Sequence, residues 1–185
     1  MLMPLSASAQ TDTAAIKLLE KEMYRFFGSS ESDSFMLVTE RLKEACLAAG
    51  ESQERLFYKC WANQAIYYFT RVSRGRGLDM AQQIHDHAVH HDSKFGLYTS
   101  TYAMATMLVN LRRHEQAERT FYEAIDYQHR YFPDESAAAP WLGLAKIYYN
   151  TRKLDKVLEC AHKALAEPGV IMQHRLTAWS YICIV

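Results

Sequence analysis

The sequence predicts an all-α fold made by stacking one helix-turn-helix unit, and three observations predict it. The first is self-similarity: Trp61, Thr101 and Trp141 lie 40 residues apart. They open the segments Trp61-x3-Ala65-x2-Tyr68, Thr101-x2-Met104-Ala105-x2-Leu108 and Trp141-x2-Leu144-Ala145-x2-Tyr148. The second is that each segment is followed, at one offset, by a further apolar set: Gly77, Ala81 and Ile84, then Ala117, Phe121 and Ala124, then Val157, Ala161 and Ala164. The third is that 7 glycines and 4 prolines in 185 residues leave room for long uninterrupted helices. A fixed period of this length belongs to an α-solenoid, whose repeats bury their apolar faces on their neighbours. It shifts the expected function from catalysis at a central site to holding another chain.

The elements follow in order. Residues 1–10 read as a signal-peptide remnant or a disordered tail, because Ala7-Ser8-Ala9 has the small-x-small pattern of a cleavage site. No Lys or Arg precedes it and the apolar run is short, so an upstream segment is expected. Residues 11–50 read as a degenerate N-terminal helix pair acting as a cap. Residues 11–15 are polar and expected to be flexible; an apolar stripe from Ile16 to Phe27 then predicts a helix that Gly28 stops. Ser32-Asp33-Ser34 can cap a second helix over 35–49, before Gly50.

Residues 51–185 carry the repeats, at about 57–92, 97–132 and 137–168, plus an unpaired final helix over 171–185. Helices are predicted over 51–72, 78–91, 95–111, 115–131, 136–150 and 154–166. The turns between them are Ser73–Gly77, Asp92–Lys94, Arg112–His114, Phe132–Glu135, Thr151–Lys153 and Glu167–Gly169. Pro133 disfavours helix at the residue before it. The last helix ends on Trp179, Tyr181, Ile182, Cys183 and Val185, too apolar for a solenoid cap, so the chain is expected to be part of something longer.

The two last repeats resemble the tetratricopeptide repeat. That family's pattern runs Trp-x2-Leu-Gly-x2-Tyr, Ala-x3-Phe-x2-Ala, then Pro. Trp141, Leu144, Ala145, Tyr148, Val157, Ala161, Ala164 and Pro168 fill it here, and Thr101, Met104, Ala105, Leu108, Ala117, Phe121 and Ala124 fill it one repeat earlier. The departure is the period, 40 here against about 34 in the family. The resemblance implies a right-handed α-solenoid that binds a protein or peptide on its concave face. Carried over position by position, that face holds Lys59, Ile66, Phe69, Tyr102, Thr106, Asn110, Leu142, Lys146, Tyr149 and Asn150. Ala62 and Ile66 stand where the family's C-terminal-carboxylate clamp needs a lysine and an asparagine, so that clamp is not expected.

The chain also resembles the periplasmic N-terminal region of bacterial membrane-bound sensor histidine kinases, through His91–Tyr98, Pro133–Pro140 and the signal-like start. This implies the extracytoplasmic sensing region of a two-component signalling protein, with a kinase domain downstream. The alternative is a cytoplasmic scaffold or adaptor for complex assembly.

Composition and motifs bound the remaining classes. Lys and Arg total 21 and Asp and Glu total 21, so the global field expected of a nucleic-acid binder is missing. No stretch reaches the roughly 20 apolar residues of a membrane span. Cys46, Cys60, Cys160 and Cys183 form no Cys-x2-Cys pair and are expected as buried free thiols, with disulfide pairing unreadable. His87 and His91, four apart on one helix face, are a weak metal candidate; a site needs a third ligand, and no metal or other cofactor is expected. No Gly-rich phosphate loop, Gly-x-Ser-x-Gly or His-Glu-x2-His occurs, so no enzyme is expected within this chain. The partner is expected to be a protein or peptide, with a homodimer possible.

Overall fold

The computed structural model describes residues 6–29 and 31–185, with side chains from Thr13 onward. The described residues are all-α and contain no strand. They form α1 (Ser6–Phe27), α2 (Ser32–Ala49), α3 (Glu54–Tyr67), α4 (Arg74–His90), α5 (Lys94–Asn110), α6 (His114–Tyr131), α7 (Ala138–Asn150), α8 (Leu154–Ala166) and α9 (Met172–Ile184). The chain divides into two compact units, Met1–Met80 and Ala81–Val185. α3 packs on α1 and α2 and belongs with them, and the division falls inside α4.

Other expectations change at the helix ends. Met1–Leu5 lie outside the described residues, but α1 already runs from Ser6, so the tail's second half and residues 11–15 are helical rather than flexible. The long helix over 51–72 breaks into a 3-10 turn (Gly50–Gln53), α3 and a π-helical turn (Tyr68–Val72). The five-residue turn over 73–77 shrinks to one extended residue, Ser73, and α4 takes in Gly75 and Gly77. Gly77 has to be glycine: a Cβ there would lie 2.4 Å from Phe69 Cβ.

In the first unit the core is Met23, Phe35, Leu42, Cys46, Tyr58 and Tyr67, all buried. The Phe35 and Tyr67 rings stack at 4.2 Å, and Tyr67 Oη donates to Ser32 Oγ at 2.8 Å. Such an aromatic pair adds about 0.5–1.5 kcal/mol beyond its area. Buried Gln64 is fully engaged: its Nε2 donates to Thr39 Oγ1 and Glu40 Oε1, and its Oε1 accepts from Lys43 Nζ. That satisfies the rule that a buried amide needs its partners.

In the second unit α5 packs on α6, α6 on α7, α7 on α8 and α8 on α9. The 40-residue period is visible in the backbone. Arg113 N donates to Leu108 O at 3.0 Å, and Lys153 N donates to Tyr148 O at 2.9 Å. Arg112 and Arg152, one residue earlier, both have left-handed backbones, at φ 59° and 60°. These six-to-one bonds close α5 and α7 in the same way, tying up carbonyls that the helix ends leave free. The repeated small residues occupy the tightest places: Ala105 and Ala145 on the first helices, and Ala124, Ala161 and Ala164 on the second, are all buried. Leu144, Ile147, Phe121 and Val157 fill the space around them, each large side chain contributing roughly 1.5–3 kcal/mol by burial.

Candidate functional site

Alternate helices of the second unit share one face. α5, α7 and α9 present Tyr102, Thr106, Val109, Ala139, Leu142, Gly143, Lys146, His174, Thr177 and Tyr181 around a cavity of about 270 Å³, floored by Phe121 of α6. The residues fall in register. From α5 to α7 the step is 142 − 102 = 40 and 146 − 106 = 40, and from α7 to α9 it is 177 − 142 = 35 and 181 − 146 = 35. Each helix therefore contributes the same two rows, one turn apart, on one side.

The floor depends on Gly143. A Cβ there would lie 2.2 Å from Phe121 Cζ, so the missing side chain lets the ring come up beneath α7. The polar groups are mostly spent on the backbone: Thr106 Oγ1 donates to Tyr102 O at 3.0 Å and Thr177 Oγ1 to Gln173 O at 2.9 Å. Burial raises the Tyr102 pKa, against a lowering hydrogen bond with Thr106. Burial, then the neighbouring Tyr149, raises that of Tyr181. Burial lowers that of His174, whose Nδ1 is enclosed without a hydrogen-bond partner. The cavity's lining thus combines an aromatic and aliphatic floor with one cation, and it contains no acidic residue.

Of the ten expected face residues, Tyr102, Thr106, Leu142 and Lys146 meet in this cavity. Tyr149 stands beside it, its ring 6.2 Å from that of Tyr181. Asn150 lines a separate hollow of about 280 Å³ with Arg112 and His114. Asn110 is exposed at the end of α5, its Nδ2 donating to Thr106 O. Lys59, Ile66 and Phe69 belong to the first unit. There Lys59 is exposed and Ile66 half-buried. Phe69 is corrected: at 4% exposure it is a core residue against the Gly77 backbone, because the π-helical turn rotates it inward. Sequence reasoning missed His174, Thr177 and Tyr181, because the last step is 35 residues and a search at 40 passes over them.

The His87 and His91 rings lie tilted against one another, centroids 4.2 Å apart, with His90 edge-on to His91 at 5.0 Å. Burial and then the neighbouring imidazoles lower the His87 pKa. Among the described residues no cluster of three or more His, Cys, Asp or Glu is placed to hold a metal. Ser100 Oγ lies 3.5 Å from His85 Nδ1, but the hydroxyl donates to Leu97 O at 3.0 Å, so it is poorly set for proton transfer to that imidazole. Cys46, Cys60 and Cys160 are buried free thiols, with burial pushing Cys46 to about 11 and Cys60 and Cys160 to about 12. Cys183 is exposed, a correction to its expected burial. Among the described residues no helix is long and apolar enough to cross a membrane.

No family model and no curated protein matches this chain. Among solved structures it is similar to BtubC (BKLC) from P. vanneervenii, with a TM-score of 0.58 and 14% sequence identity over 98% of this chain and 84% of that one. At that identity the likeness is one of fold, in keeping with an all-α chain.

Proposed function

We propose that this chain is a non-catalytic, tetratricopeptide-like α-solenoid that binds a protein segment in the cavity of α5, α7 and α9. The observation that carries the reading is the register of that cavity. Tyr102 with Thr106, Leu142 with Lys146, and Thr177 with Tyr181 repeat one pair of positions on three successive alternate helices. A regular row of apolar and polar groups suits an extended segment, whose side chains also recur at fixed spacing. The aromatic floor gives anchor pockets of the kind that carry most binding energy.

The test is to select binders from a random peptide library on the full chain and then challenge them with Thr177→Trp. Thr177 is exposed, so the indole fills the cavity without disturbing the core. The melting temperature is expected to hold within a degree or two while binding falls at least tenfold. Selected peptides that bind Thr177→Trp as well as the parent chain would refute the assignment.

The setting we favour is the extracytoplasmic sensing region of a two-component signalling protein, supported by Ala7-Ser8-Ala9 and the kinase-sensor-like segments His91–Tyr98 and Pro133–Pro140. A cytoplasmic adaptor would use the same cavity. Reading the coding DNA on both sides of this frame separates the two: a basic and apolar leader upstream and a span with kinase motifs downstream support the sensor, and their absence supports the adaptor.

A further inference from the structure

We infer that the α5–α7–α9 cavity is a subsite for a carboxylate carried on an apolar body, received by Lys146 and His174. This deepens the binding reading above and rests on it. Three observations lead to it. None of the cavity's lining residues is acidic, and Lys146 is its one cation. Among the described residues Lys146 is joined to no acid or acceptor, unlike Lys43, Lys94 and Lys163, which each pair with a carboxylate. His174 offers a second unused group. Its Nδ1 is enclosed without a partner, and an orphaned buried N–H is rarer in proteins than an orphaned acceptor. That assigns the ring's hydrogen to Nε2 when the imidazole is neutral, which makes Nε2 a donor. Burial favours that neutral form.

The rest of the lining decides the class of ligand. One cation and one neutral donor match a single negative charge, whereas the greater charge and three acceptor oxygens of a phosphate group exceed what this lining offers. Phe121, Leu142 and Val109 require an apolar portion beside the charge. A cavity of about 270 Å³ holds one side chain or one small acid, being at the lower edge of small-molecule sites. The carboxylate is that of an Asp or Glu side chain in the bound segment, the occupant of the groove in the reading above. The position differs from the family's clamp for chain ends, whose lysine and asparagine are replaced by Ala62 and Ile66.

The probes are 3-phenylpropionate, its amide, and the terminally blocked dipeptides acetyl-Phe-Glu-amide and acetyl-Phe-Gln-amide, titrated against the full chain by NMR. Each acid is expected to bind about tenfold more tightly than its amide at low salt, and to lose that advantage as salt screens the charge. Lys146→Met keeps the apolar stem and is expected to abolish the difference between acid and amide. Of the two acids, acetyl-Phe-Glu-amide is expected to bind the more tightly, and tighter binding of 3-phenylpropionate overturns the assignment to a bound segment. Equal binding of acid and amide, or a difference that survives in Lys146→Met, overturns it while leaving the cavity as a binding site. Absence of binding by all four overturns it too, and the library selection then reports separately on the groove.

Discussion

At the scale of single residues the chain carries a conformational cost at three turns that match in geometry, at Asp92, Arg112 and Arg152. Arg112 and Arg152 sit at φ 59° and 60°, where an L-residue with a Cβ is disfavoured by about 1–2 kcal/mol. This position after a helix favours glycine, which adopts the left-handed region freely and so lets the N–H of the next residue donate the closing bond. Arg152→Gly is therefore expected to raise stability by about 1 kcal/mol in urea melts, whereas Arg152→Ala is not. Equal stability of the two variants would show that the left-handed backbone carries no strain here. Arg112 also lines the hollow with His114 and Asn150, so Arg152 is the cleaner site for the comparison. The turn positions were legible as turns in Arg112-Arg113-His114 and Thr151-Arg152-Lys153, but the sign of φ was not, because arginine gives no signal for it.

At the scale of elements, one side chain joins the loop before α7 to the end of α8. Glu167 is almost fully enclosed, at 8% side-chain exposure. Its Oε2 accepts from Ala137 N at 3.0 Å, and its Oε1 accepts from Trp141 Nε1 at 2.8 Å and lies 2.9 Å from His129 Nε2. A carboxylate at a helix N-terminus is favourably placed for the backbone dipole as well. Glu167→Ala strands an indole N–H and a backbone N–H, and is expected to cost about 2–3 kcal/mol by chemical denaturation. Glu167→Gln keeps an acceptor and is expected to cost less. If Glu167→Ala lost under 1 kcal/mol, the loop would be held by other means. Sequence reasoning found Phe132–Glu135 and Glu167–Gly169 as breaks between helices, and α8 matches its expected bounds. It could not pair Glu167 with Trp141, since a contact 26 residues apart leaves no local pattern.

At the scale of the whole molecule, the all-α architecture was legible because apolar periodicity and capping residues act locally. The small residues of the repeat, Ala105, Ala145 and Ala161, could be placed in the core for the same reason. What escaped depends on longer-range packing. Phe69 turns inward because a π-helical turn precedes Ser73 and Gly77 admits its backbone and Cβ closely. α9 joins the cavity at a step of 35 residues, which a strict period conceals. α9 also leaves Met172, Leu176 and Trp179 exposed while burying Ala178 against the rest of its unit.

The central claim is that the face shared by α5, α7 and α9 is where this chain binds a partner. The measurement that tests it most directly is an amide and methyl NMR map of the full chain titrated with a library-selected peptide. The account predicts that the shifts concentrate at Tyr102, Thr106, Leu142, Lys146, His174, Thr177 and Tyr181. Shifts gathered instead around His87, His90 and His91, or around Asn150 and Arg112, with those seven residues unmoved, would contradict it.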